Sequence, residues 1–114
     1  MPRHGTGWRW ARRIHQQRAE CLLAQVHAAL GEGPAAVHHA ERALELMTAA
    51  GDSIEAFDLA FTHDAAARAC LLTEEAFRTA FHQAQVEWAR KSITDAADRE
   101  EVEAGLVGTS RSER

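Results

Sequence analysis

The sequence predicts an all-α protein built from antiparallel helical hairpins, and three observations carry that prediction. The 114-residue chain is rich in alanine, has no tyrosine and two prolines, and is sparse in β-branched residues. Intrinsic propensity therefore favours helix almost throughout. Apolar residues recur at the three- and four-residue steps of a helix face. Stop and start signals divide the chain with loops of about two to four residues, short enough to force consecutive helices antiparallel.

The first helix runs from about Gly7 to Leu30, where Gly31, Gly33 and Pro34 supply a stop and then a favourable first-turn proline. The second runs from about Pro34 to Ala50 and ends at Gly51. Asp52 followed by Glu55 reads as a capping box with the aspartate as cap, and it opens a third helix to about Leu72. Thr73 is placed to cap the fourth, with Glu74 and Glu75 against the positive end of its dipole, and that helix ends near Ser92. Thr94 or Asp95 starts a shorter fifth helix to about Leu106. Residues 1–114 are expected to form a single domain with disordered tails at 1–6 and 107–114.

Composition narrows the function classes. The net charge is −4, but Arg3, Arg9, Arg12, Arg13 and Arg18 precede the first acid, Glu20, while Asp95, Asp98, Glu100, Glu101 and Glu103 crowd near the other end. Two solvated ends explain this, as does end-to-end contact between subunits or with a charged partner. No apolar run approaches the roughly 18 residues of a bilayer span, so no membrane association is expected. Cys21 and Cys70 stand singly in apolar runs, without the spacing of a zinc site or a disulfide framework. They read as small buried residues of a cytoplasmic protein. Trp8 and Trp10 among arginines suit a base-stacking patch or a membrane-surface anchor, or else packing at the helix end or a dimer contact. Overall acidity argues against nucleic acid. Trp88 reads as a core or interface residue.

No phosphate loop, nucleophile elbow or Cys-His nucleophile context is present, so neither catalysis nor a cofactor is expected. The neighbours His63 and Asp64 are no dyad, because adjacent helical side chains point about 100° apart. Seven histidines are present. A metal would need about three ligands converging, for instance His27 and His63 with Asp64, but no HExxH or i, i+4 histidine pair supports one, and no metal is expected.

The third helix carries the informative pattern. Ile54, Phe57, Phe61, Asp64, Arg68 and Leu71 follow one bulky stripe, while Ala56, Leu59, Ala60, His63, Ala66, Ala67 and Cys70 form a small, close-packing side. Glu55, Asp58 and Thr62 remain polar. A helix apolar on nearly all sides is an inner one. Asp64 and Arg68 thus lie within a stripe that should be apolar, at the i, i+4 spacing that lets them pair. Either they form a buried network between hairpins, with Asp64 also reaching His27 or His63, or Arg68 faces a ligand.

The stretches "LAQVHAALG", "AAVHHAERALEL", "DLAFTHDAAARA" and "TEEAF", covering roughly residues 19–85, resemble bacterial tetratricopeptide-like proteins. In the first hairpin Ala24, Ala36 and Ala43 fall where that family places small close-packing residues, Leu23, His27 and Leu44 where it places larger ones, and Gly31 on its turn glycine. In the second, Asp64, Ala67, Ala76, Ala80 and Gln83 take the corresponding places, with Leu71 where glycine is usual. Alanines then repeat at 29 and 69, 36 and 76, 40 and 80. The resemblance implies a right-handed α-solenoid fragment of about two repeats plus a C-terminal capping helix. It also implies a ligand groove, lined by Arg18, Cys21, Gln25, Ala28 and Ala29 from one hairpin and by Asp58, Phe61, Ala65, Arg68 and Ala69 from the other. Arg18, Gln25, Asp58, Phe61 and Arg68 are its candidate contacts, and two arginines beside an aromatic suit a carboxylate or peptide terminus. The lysine and asparagine set of the family's carboxylate clamp is absent.

So short an array leaves its ends poorly covered, and a homodimer is expected. The leading function is a protein- or peptide-binding adaptor. The alternative is a small-ligand or metal-ion sensor built on His27, His63, Asp64 and Arg68.

Overall fold

A computed structural model describes residues 7–51, 54–93 and 96–106, without the side chains of 7–10, 96 and 97. The chain is all-α. Its described residues form five helices and no strand: α1 (Gly7–Ala29), α2 (Gly33–Ala50), α3 (Ala56–Leu72), α4 (Ala76–Ser92) and α5 (Ala96–Gly105). None of these helices is long and apolar enough to cross a membrane. The expected tails, the cap at Asp52, the start at Thr94 or Asp95, and the side chains of Trp8 and Trp10 lie outside the described residues.

Helix ends show how local chemistry sets the turns. After α1, the Gly31 N–H donates to the Ala28 carbonyl and the Glu32 N–H to the His27 carbonyl, with Gly31 at φ 76°. After α3, the Glu74 N–H donates to the Leu71 carbonyl and the Glu75 N–H to the Cys70 carbonyl, with Glu74 at φ 61°. Both are Schellman turns, in which a left-handed residue lets the chain satisfy the last helical carbonyls. The second differs from expectation. Thr73 closes α3, its hydroxyl donating to Glu75 Oε2 at 2.6 Å and lying 3.3 Å and 3.4 Å from the Cys70 and Ala69 carbonyls, and Glu75 takes the cap position of α4. Likewise Glu55 caps α3, where the sequence suggested Asp52, and its N–H donates to Asp58 Oδ2 at 3.2 Å.

Glu74 holds, with a Cβ, the left-handed conformation that glycine adopts without steric cost. Glu74→Gly is expected to raise the unfolding free energy by about 1 kcal/mol. Urea denaturation at low micromolar protein checks it, and an unchanged or lower midpoint would refute the strain argument.

Packing centres on α3, which touches each of the other four helices. On one side, Cys21 and Ala24 of α1 and Ala36, Ala40 and Ala43 of α2 meet Ala65, Ala66 and Ala69 of α3. Side chains this small let helix axes approach closely. On the other, Ala60 meets Val86, Ala89 and Ile93 from α4 and its end, and Val102 and Leu106 from α5 and its end. Phe61 packs against both groups. The inner position of α3 was legible, but its expected polar strip was not real: Asp58 and Thr62 are buried, while Leu71 is exposed.

The alanine repeat also fails as a register. Ala36 is buried, whereas Ala76 opens α4 and is exposed. The shared turn bonds instead match Gly31 with Glu74, and by the same interval Ala36 with the buried Thr79. Trp88 is exposed and so is no core residue.

α5 is tied down by polar groups as well as by Val102 and Leu106. Arg90 of α4 forks onto Glu103, donating from Nε at 3.0 Å and Nη2 at 2.6 Å. Arg99 Nη2 donates to the Ile93 carbonyl at 2.7 Å. At the end of α5, Gly105 lies so close to Phe61 that an added Cβ would meet ring atom Cε1 at 2.5 Å.

Candidate functional site: a cavity between α1 and α3

α1 and α3 diverge enough to leave a cavity of about 260 Å³. From α1 come Gln17, Arg18, Cys21, Leu22 and Gln25, on consecutive turns of one face. From α3 come Phe57, Asp58, Phe61 and Thr62, and α5 contributes Glu101. Four of the five groove residues drawn from the sequence therefore meet here: Arg18, Gln25, Asp58 and Phe61. Arg68 is not in this lining.

The two arginines are placed differently. Arg18 Nε donates to Asp58 Oδ1 at 2.8 Å and its Nη2 to Asp58 Oδ2 at 3.0 Å, a fork fully engaged within the protein. That bond outweighs burial and holds the guanidinium more firmly charged than usual. The same guanidinium lies 5.1 Å from the centre of the Phe57 ring. Asp58 also accepts the Glu55 N–H, so the wall is charged but internally neutralised. Arg68 points elsewhere, with Nε 2.8 Å from Asp64 Oδ2 and Nη2 donating to the Gly105 carbonyl at 3.2 Å. Arg18 thus turns its fork to Asp58 and Arg68 lies outside this lining, so the two arginines expected beside an aromatic do not share this cavity.

Gln17 is the unusual group. Its Nε2 donates to Thr62 Oγ1 at 2.6 Å and to the Ala43 carbonyl at 3.4 Å, bracing α1 against α2 and α3. Its Oε1 is buried without a hydrogen-bond partner among the described residues. A buried acceptor left unpaired costs about 1–3 kcal/mol. Beside it the Cys21 thiol is pushed up to about 11 by burial, so it is a neutral apolar wall.

The buried polar group expected around His27, His63, Asp64 and Arg68 is divided. Asp64 and Arg68 are close, though the Nε–H is not aimed at Oδ2, so the contact is a charge pair and not a linear hydrogen bond. His63 Nδ1 lies 2.9 Å from Nδ1 of His82 on α4. His27 stands apart at the α1–α2 turn, its Nδ1 2.5 Å from Glu32 Oε1 and its ring stacked on His39. His39 in turn bonds Glu20 at 2.7 Å. Sequence reasoning missed Gln17, Thr62, His82 and Glu101. Gln17 had a readable signal, since Ile14, Gln17, Cys21 and Ala24 follow the three- and four-residue steps of a buried face.

No family model, curated protein or solved structure matches this chain. Among the described residues, no three His, Cys, Asp or Glu side chains converge as a metal site needs. The functional reading therefore rests on the cavity itself.

Proposed function

We propose that this chain is a tetratricopeptide-like pair of antiparallel helical hairpins that binds a protein or peptide segment in the cavity between α1 and α3, with no chemistry beyond binding. The hairpin reading is supported by the two matching turns at Gly31 and Glu74. It is supported too by two cross-helix polar pairs, Glu20 with His39 and His63 with His82, each 19 residues apart and spaced by the same interval as the turns.

The observation that carries the binding role is the cavity itself, walled in large part by Phe57, Phe61, Leu22 and Cys21. A wall of aromatic and apolar side chains with a few polar groups, Gln25 and Glu101 among them, favours a large apolar side chain flanked by polar ones. At about 260 Å³ the cavity falls below the roughly 300–1,000 Å³ of small-molecule sites and suits a single large side chain presented by a polypeptide. Nothing comparable supports the sensor reading, since His27 is separated from Asp64 and Arg68 by its pairing with Glu32.

Selection from a random peptide library tests this. Enriched sequences should share one large apolar residue, and in ¹⁵N spectra they should shift the amides around Leu22, Gln25, Phe61 and Glu101. Leu22→Glu, at an exposed rim position, should weaken them at least about tenfold without changing the fold. The proposal is wrong if no sequence is enriched, or if bound peptides shift amides elsewhere and ignore Leu22→Glu.

A further inference from the structure

The outer face of α4 carries three of the exposed large hydrophobic side chains among the described residues, all of them aromatic. Its core face is Thr79, His82, Val86 and Ala89. On the opposite side Phe77, Phe81, Ala84 and Trp88 form an exposed stripe at steps of four, three and four residues, the spacing of a helix–helix seam. Phe77 is 89 % exposed, Phe81 53 % and Trp88 61 %. A large exposed apolar stripe on a small domain marks an interaction surface.

We infer that this stripe is a self-association face, on which α4 of a second copy of the chain packs antiparallel. The order of residues is self-complementary in that arrangement. With Phe77 opposite the partner's Trp88, Phe81 falls opposite the partner's Ala84, so a large ring faces a small side chain at both central positions. The same register brings Glu74, which precedes α4, opposite the partner's Lys91 near its end, and the two-fold axis repeats the pair. Glu74 and Lys91 are both exposed in the single chain. A parallel arrangement would instead set Lys91 against Lys91 and Glu74 against Glu74, while leaving a gap at Ala84. Antiparallel packing also opposes the two helix dipoles favourably.

Area sets the strength. At about 150–250 Å² per aromatic side chain, these exposures offer on the order of 400 Å² per copy. Two copies cover about 800 Å² through the rings, below the roughly 1,200 Å² of a standard stable interface. The dimer is therefore weak and depends on concentration. None of these residues lines the cavity between α1 and α3, so peptide binding and dimerisation can fail independently.

Sedimentation velocity across micromolar to millimolar concentrations is the test. The chain should pass from monomer to dimer, and Phe77→Asp, at a fully solvated position, should raise the dissociation constant at least about tenfold with an unchanged circular dichroism spectrum. Lys91→Glu should weaken the dimer about fivefold, and Glu74→Lys/Lys91→Glu should restore it, because each end regains an opposite charge. A chain monomeric at millimolar concentration overturns the inference, and so does a dimer indifferent to Phe77→Asp, which would use another face. If Lys91→Glu and the double variant are equally weak, the antiparallel register is wrong.

Discussion

Arg68→Met should lower the unfolding free energy by about 3–5 kcal/mol, while Arg68→Met combined with Asp64→Leu should recover most of that loss. Asp64 is fully buried on α3, and Arg68 is its cation one turn later. Removing the guanidinium takes its cation from a fully buried carboxylate. Removing both charges spares their desolvation, which in buried pairs commonly equals or exceeds the attraction gained. Arg68 also anchors the Gly105 carbonyl at the end of α5. The single variant should therefore release α5 first, seen as faster amide exchange at Val102 than at Ala65. Urea denaturation of the three proteins decides the matter. A double variant no more stable than the single one would show that the pair contributes net attraction and not merely mutual neutralisation.

The second large effect is a loss of stability in mild acid through His63 and His82. Burial, and then the neighbouring His82, push His63 down to about 4. Burial, and then the Arg78 charge, lower His82 as well. At Nδ1 to Nδ1 of 2.9 Å, one ring must donate and the other accept, so the pair holds together only while at least one is neutral. The unfolded chain binds protons near pH 6.5 and the folded chain only lower. The stability contributed by neutral histidines is therefore complete above about 6.5 and declines as pH falls through about 4. For His63 the full change is about 3 kcal/mol at most. His63→Leu/His82→Met should flatten the unfolding free energy between pH 7 and 4.5 relative to the natural chain. Parallel profiles for the two proteins would sink this assignment.

How much was legible follows from which interactions are local. Most helix boundaries came within a residue or two, because caps, glycines and propensity act over a single turn, though the cap of α3 moved three residues, from Asp52 to Glu55. The inner role of α3 was readable from its all-round apolar pattern. The fate of each polar side chain was not. Asp58 and Thr62 looked like a solvated strip because α3 alone does not reveal that Arg18 and Gln17, some forty residues earlier, arrive to satisfy them. For the same reason Arg18 looked available to a ligand, when its fork is closed on Asp58. His82 was unreadable as a partner of His63, since only the turn after α3 sets which residues of α4 lie alongside. Thr73 was misassigned because it competes with Glu75 for the cap position, and its hydroxyl is turned to the Glu75 carboxylate. The competition was decided by Glu74 adopting a left-handed conformation.

By itself, then, the sequence determined the helical class, the number and order of helices, and the central place of α3. Those properties depend on intrinsic propensity and on the periodicity of burial, both of which are written along a single helix. The tertiary structure decided which charges cancel, that Gln17 keeps one buried acceptor unmatched, and that the aromatic stripe of α4 faces outward. Each of these depends on the rotation of one helix about its axis relative to another, a matter of about 100° per residue. A shift of one residue in how two helices dock changes which side chains meet, while leaving every helix in place.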